Sequence, residues 1–258
     1  MNSLTDRFKQ PITAWVKEIK NEALQKISLS PFATACRAGD MGLTKELFLR
    51  FWPFVDAFPK IINRGCVNIL KKELVKTFGL EIIDLLRPGF QVLSSMRQDE
   101  EDHRQLWLKT AHVLGLTPTD LRQPPTPEVR AVTSVIAEDV DPYMMFLRFV
   151  GVEMVAESVS KDFLSSEEFK SALGKEGLRW FEVHVTHEGM SHEELAFRLA
   201  RALHREELTR EESHALIHHV VDLFIRAAEV CVGSRQSQRG WSSEFSLAEA
   251  VEINSSKP

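Results

Sequence analysis

The sequence predicts an all-α protein: one bundle of about eight helices joined by short turns. Three observations carry this reading. Glycine is sparse, 12 in 258 residues. Leu, Ala, Glu, Lys and Arg recur in long runs that favour helix. No segment sustains the apolar–polar alternation that a half-buried strand requires. With 43% hydrophobic and 27% charged residues the chain can enclose a sizeable core.

The elements follow in order. A helix over 12–27 starts behind Pro11. The next, over 43–62, has Thr44 as an N-cap candidate with Glu46 two residues on, and Pro53 and Pro59 predict a kink within it. Segments at 67–76, 89–114, 128–138 and 142–164 have helical patterning. Gly115-Leu-Thr-Pro118 ends the third segment after 12–27, the one over 89–114, and Gln123-Pro-Pro-Thr-Pro127 reads as a stiff surface loop. A helix over 166–191 needs at least one break, and another follows at 192–204. The last, over 209–232, opens on Thr209-Arg-Glu-Glu212, a capping-box pattern. No polar stretch divides two cores, so residues 1–232 are expected to form one domain and the Ser-rich residues 233–258 a mobile tail.

A net charge of -5 without a basic stripe argues against a nucleic-acid partner. No run approaches the ~18 apolar residues of a membrane span, so no membrane partner is expected. Residues 1–16 lack the apolar core of a secretory signal. Cys36, Cys66 and Cys231 show no CxxC spacing, which fits a reducing compartment and makes the cytoplasm the expected location.

Three segments can carry chemistry. In Asp99-Glu100-Glu101-Asp102-His103, Glu100 and His103 are three apart and share a helical face, the way bundles offer carboxylate and imidazole to paired irons. The plain alternative is a charged surface turn. Glu153 sits in the apolar run 146–156, where a lone carboxylate is costly to bury unless paired or bound to a cation. Arg148 or water is the plain alternative partner, and Glu157, one turn on, competes for the role. The third segment, 180–192, holds His184, His187, Glu188 and His192; His184 and Glu188 are one turn apart. His218 and His219 have no acidic partner at ligand spacing on their own helix except Asp222, and read as structural. The nitrogen and oxygen donors, with no thiolate among them, suit iron or manganese.

At these residues the chain resembles the haem-oxygenase-like di-iron oxidases, a group related to thiaminase II and to the pyrroloquinoline quinone synthesis protein C. The resemblance runs over about residues 32–204. The family pattern reads Glu-x-x-His, then a lone Glu, then His-x-x-x-Asp-x-x-His. This chain offers Glu100 with His103, then Glu153, then His184 with Glu188. The segment Trp52-Pro-Phe-Val-Asp-Ala-Phe58 is similar to one in the alkene-forming fatty-acid decarboxylases. The resemblance implies a haem-oxygenase-like bundle, two irons per chain and dioxygen as co-substrate, acting on a small carboxylate or amino acid. A homodimer is left open. A thiaminase II-like, metal-free hydrolase with a cysteine nucleophile, or a non-catalytic binding protein, are the alternatives.

Two departures stand out. The self-sacrificing aminobenzoate-forming members use a tyrosine near the position of Ala33, whereas the single tyrosine here is Tyr143. The family's final histidine falls at Ser191, and His192 stands one residue later. A helix widened by a π-bulge around Gly189 to Ser191 would return His192 to the ligand face; a regular helix would leave it in solvent, with His187 as a substitute.

Overall fold

Long, strand-free sequence of high helix propensity satisfies its backbone within each segment, so tertiary structure reduces to how the apolar stripes pack. The computed structural model describes the backbone of residues 4–69, 79, 81–186, 190–204 and 206–254. Among these are ten α-helices, one 3₁₀ turn and no strand. The helices are α1 (Leu4–Lys9), α2 (Ala14–Ser28), α3 (Pro31–Arg37), α4 (Met41–Ile69), α5 (Glu81–Val113), α6 (Pro127–Ala137), α7 (Pro142–Leu164), α8 (Glu167–Val183), α9 (His192–Leu203) and α10 (Arg210–Asn254).

The expected helix over 142–164 agrees with α7 to the residue, and Gly115 at φ 71° closes the last turn of α5, where Leu116 N donates to Ala111 O at 2.9 Å. Elsewhere the boundaries move. Helix α4 continues through Pro53 and Pro59, and it extends past the expected end at 62. The segment expected at 67–76 falls mostly outside the described residues. The short α3 was not foreseen, although its signal is present: Ser30 is its N-cap, accepting from Ala33 N at 3.2 Å, and Pro31 opens the helix. Helix α8 bends at Gly174, whose φ of 68° no other residue type adopts cheaply. Helix α10 runs beyond 232, the expected end of the last helix, to Asn254.

The core is aromatic. Phe48 lies against Trp107, with ring centroids 4.0 Å apart, and against Trp180 and Phe181. Trp107 Nε1 donates to Phe48 O at 3.0 Å, fixing α5 against α4. Thr110 Oγ1 donates to Gly177 O at 2.9 Å, fixing α5 against α8. These two bonds set the rotation of α5 about its axis and so decide which of its side chains face inward. Helix α7 is buried on most sides, wrapped by α2, α8, α9 and α10. No helix among the described residues is long and apolar enough to cross a membrane.

Close helix approach makes a specific demand at Gly151. A Cβ there would lie 2.9 Å from Val220 Cβ and 3.1 Å from Ile217 O across the α7–α10 seam. Gly151→Ala is expected to lower stability by about 1–3 kcal/mol in denaturant unfolding, the cost of overpacking a tight core. Gly233→Ala, with nothing within 4 Å of its added Cβ, is expected to be neutral or to stabilise by up to about 1 kcal/mol.

Candidate metal centre

Helix periodicity puts Glu100 and His103 on the inward face of α5, one turn before Trp107, whose bond to α4 sets that face. Glu153 comes from the buried middle of α7, His184 caps the C-terminus of α8, and His192 opens α9. These five side chains converge. His103 Nδ1 lies 3.3 Å from Glu100 Oε1, and His192 Nδ1 lies 3.4 Å from the same oxygen and 3.8 Å from Glu153 Oε2. The His103 ring is 4.5 Å from that of His184 and 6.1 Å from that of His192, centroid to centroid. Glu100, Glu153 and His184 are only 8%, 7% and 6% exposed.

Of the residues marked in the sequence, Glu188 and His187 lie outside the described residues, as does Gly189. Glu157 is turned away. Lys20 Nζ holds it at 2.7 Å, Lys161 pairs with it as well, and the same Lys20 reaches Glu193 at 2.7 Å. Arg148 pairs with Glu138 at 2.8 Å and not with Glu153. Glu153 is therefore the carboxylate of α7 that faces the histidines.

His192 reaches the cluster by a route the sequence reading did not foresee. The expected continuous helix with a π-bulge does not form: α8 ends at Val183, and Ser191 is extended at φ -67°, ψ 155°. The β-branched Val183, Val185 and Thr186 disfavour continuation. Ser191 then caps a new helix, its Oγ accepting from Glu194 N at 3.2 Å. The sequence carried this signal as Ser191-His-Glu-Glu194, a capping-box pattern. A helix break resets the rotational phase, so the spacing of seven or eight residues from His184 imposes no constraint on which way His192 faces.

Asp99, Lys20 and Glu193 went unrecognised in the sequence. Asp99 Oδ2 lies 3.2 Å from His192 Nε2, so one ring nitrogen is oriented by a carboxylate while the other faces Glu100 and Glu153. His184 Nδ1 donates to Trp180 O at 2.6 Å, leaving Nε2 as the nitrogen with a free lone pair. Metal-ligating histidines are usually oriented in this way.

The electrostatics are those of charge confined in a largely buried site. Burial raises the Glu153 carboxyl to about 8, helped by the neighbouring charge of Glu100. Burial would also raise Glu100, yet His103 and His192 outweigh it and hold Glu100 well below the carboxylate range. His192 is pushed up to about 10: burial opposes this, but Glu100, Glu153 and Asp99 prevail. His103 also moves up, Glu100 overcoming its burial. His184 falls to about 3 through burial and the charge of His103. Even so, Glu100 Oε1 and His103 Nδ1 are buried and meet as an ion pair at 3.3 Å without a well-formed hydrogen bond. A cation among these donors would satisfy them, and two carboxylates with three imidazoles suit iron.

Four of the donors, Glu100, His103, Glu153 and His184, line a cavity of about 110 Å³ whose remaining wall is mostly apolar, including Phe51, Phe54, Phe58, Val152, Val159 and Phe224, with Ser30 as a further polar residue. Among the described residues, the cavity lining contains no cysteine, lysine or arginine.

No family model and no curated protein matches the chain. Solved structures do. One is a TenA homolog from Pseudomonas syringae pv. tomato str. DC3000, 15% identical, with a TM-score of 0.69, covering 90% of this chain and 98% of that one. Another is a domain of unknown function with a heme-oxygenase-like fold from Shewanella denitrificans OS217, 16% identical, with a TM-score of 0.64, covering 87% and 93%. The chain has the haem-oxygenase-like fold.

In the metal-free protein His192 is expected to stay charged and His184 neutral at pH 7, which imidazole NMR resonances would test. The sign for stability follows. A folded value near 10 against 6.5 unfolded makes the His192 contribution complete below pH 6.5 and lost as pH rises through 10. Ser191→Ala is expected to cost about 1 kcal/mol in unfolding experiments and to weaken metal retention, because the cap that orients His192 is gone.

Proposed function

We propose that the chain is a non-haem di-iron oxidase or oxygenase that uses dioxygen to attack a small organic acid with an apolar body. The observation that carries this reading is the convergence of Glu100, His103, Glu153, His184 and His192, the first four of them in the wall of a largely apolar cavity. Glu188 completes the proposed ligand set, on the family pattern. Two irons bound there would supply the electrons that reduce dioxygen and the oxidising power to attack an unactivated C–H bond.

The chain's own residues do the rest. The phenylalanine and valine walls accept hydrocarbon and exclude water, which keeps the site's charges strongly interacting. Glu153, raised to about 8, holds a proton at neutral pH and gives it up when a cation arrives. Asp99 and the Trp180 carbonyl keep two imidazoles pointed. With no Lys or Arg in the described lining, the imidazoles are the only groups there that can carry positive charge toward a substrate carboxylate, and Ser30 and the tryptophans are further hydrogen-bonding side chains. An amino acid would bring an ammonium group that the apolar walls cannot solvate, so a simple carboxylic acid fits better. Oxidative decarboxylation of a fatty acid is the finer form of this reading, suggested by Trp52-Pro-Phe-Val-Asp-Ala-Phe58 and by Phe54 and Phe58 in the cavity wall.

The likeness to a TenA homolog favours a second reading, a metal-free hydrolase using a cysteine nucleophile. Against it, Cys36 and Cys231 do not line the cavity, and burial raises the Cys231 thiol to about 12, far from thiolate. The side chain of Cys66 lies outside the described residues. The non-catalytic reading rested on Ser191 in place of a ligand, and capping accounts for that serine.

Anaerobic loading with ferrous iron followed by metal analysis is expected to give about two irons per chain, with an optical change when oxygen is admitted. Glu100→Ala, His103→Ala, Glu153→Ala and His184→Ala should each lose iron. Glu157→Ala should keep it while losing stability, since Lys161 loses its partner and Lys20 keeps only Glu193. An iron-free protein, or retention of both irons by Glu153→Ala, would defeat the proposal.

A further inference from the structure

A second set of ligand-type side chains lies on the outside of the bundle, where α2 meets α10. His214 and His218 are one turn apart on α10, and Glu22 projects from α2. His214 Nε2 is 2.9 Å from Glu22 Oε2, and His218 Nε2 is 3.7 Å from the same oxygen. The two rings stack with centroids 4.0 Å apart and planes inclined by 20°. One donor atom from each of the three residues lies within 4.8 Å of the others. Donors sharing a tetrahedral ion at ~2.1 Å sit roughly 3.4 Å apart. The two measured separations bracket that value.

The surroundings supply further observations. His218 Nε2 is buried with no hydrogen-bond partner, although it faces the carboxylate. Arg210 Nη2 holds Glu22 Oε1 at 2.9 Å, which orients the carboxylate and turns its other oxygen to the histidines. The nearby cation Lys26 is paired with Asp222, one turn beyond His218. Burial, His214 and Lys26 lower the His218 pKa, favouring the neutral form that ligates. As a plain ion pair the arrangement is weak: one oxygen serves two stacked rings, at hydrogen-bond distance for only one of them.

We infer that Glu22, His214 and His218 form a peripheral site for a borderline divalent transition metal, zinc above all, with water completing the shell. Its donor set of two imidazoles and one carboxylate suits zinc. The sequence reading treated His218 as structural because it sought an acidic partner on the same helix; the partner comes from α2. An ion bound here ties α2 to α10. Both helices wall the main cavity, through Ile27 on α2 and Phe224 and Ile225 on α10. The site is therefore a staple behind one wall of the cavity, and it does not depend on what the buried cluster binds.

The test uses the full chain, stripped of metal by a chelator, with Glu100→Ala and Glu153→Ala introduced so that the buried cluster cannot compete. Calorimetric titration with zinc alone is expected to show one ion per chain and a rise in melting temperature. Adding His214→Ala and His218→Ala should abolish both; these side chains stand at the rim of the fold, and thermal melts in chelator verify that each variant folds. Should the Glu100/Glu153 variant fold poorly, His214→Ala/His218→Ala in the otherwise native chain should bind one zinc fewer than the parent. The inference is overturned if the Glu100/Glu153 variant folds and takes up no zinc, or if removing both histidines leaves the stoichiometry unchanged.

Discussion

Two carboxylates, Glu100 and Glu153, are buried side by side in an aromatic core, and much of the neighbouring structure answers that one constraint. Like charges in a dry site cannot both persist without compensation. The chain supplies it from two directions, His103 on the same helix and His192 at a helix start, while His184, neutral at a helix end, adds a third imidazole. A core built only for stability would place hydrophobic groups there, because charge pairs buried this deeply seldom repay their desolvation. On the proposed reading the cluster is a place for a cation, and Glu100 Oε1 and His103 Nδ1, which meet as an ion pair without a well-formed hydrogen bond, would be among its ligands.

The sequence made the all-helical architecture legible because helix propensity and apolar spacing act locally. It also marked Glu100, His103, Glu153 and His184, each of which sits in an apolar context or at helical ligand spacing. What it could not show was convergence from elements far apart in the chain. Lys20 illustrates the point: it lies 137 residues from Glu157 and bridges that carboxylate to Glu193. Nothing on α2 alone announces that role. Glu22 and its histidines pose the same problem.

The passage from α8 to α9 shows why spacing rules fail at helix ends. A family pattern written as intervals along one helix assumes a fixed turn of 100° per residue. Here the helix stops after Val183 and restarts at Ser191. His184 and His192 therefore do not lie on one continuous helix, and the count of residues between them does not fix which way His192 faces. What reads as a missing histidine at residue 191 is a serine doing a different task, satisfying the free amide of Glu194.

Helix α7 carries the final step. Glu153 and Glu157 are one turn apart, share a face and are about equally buried, yet their neighbours give them opposite character. Lys20 and Lys161 lower the pKa of Glu157 against its burial and keep it an anion, a fixed charge within the scaffold. Glu153 has no lysine or arginine among the charges that act on it, only imidazoles and the carboxylates of Glu100 and Glu193, so it holds its proton at neutral pH, and a bound cation would displace that proton. Lys20 also ties down Glu157 and Glu193, although the charge of Glu193 still helps to raise Glu153. The division of labour between adjacent turns of one helix thus rests on a lysine from α2, the helix that also presents Glu22 to α10.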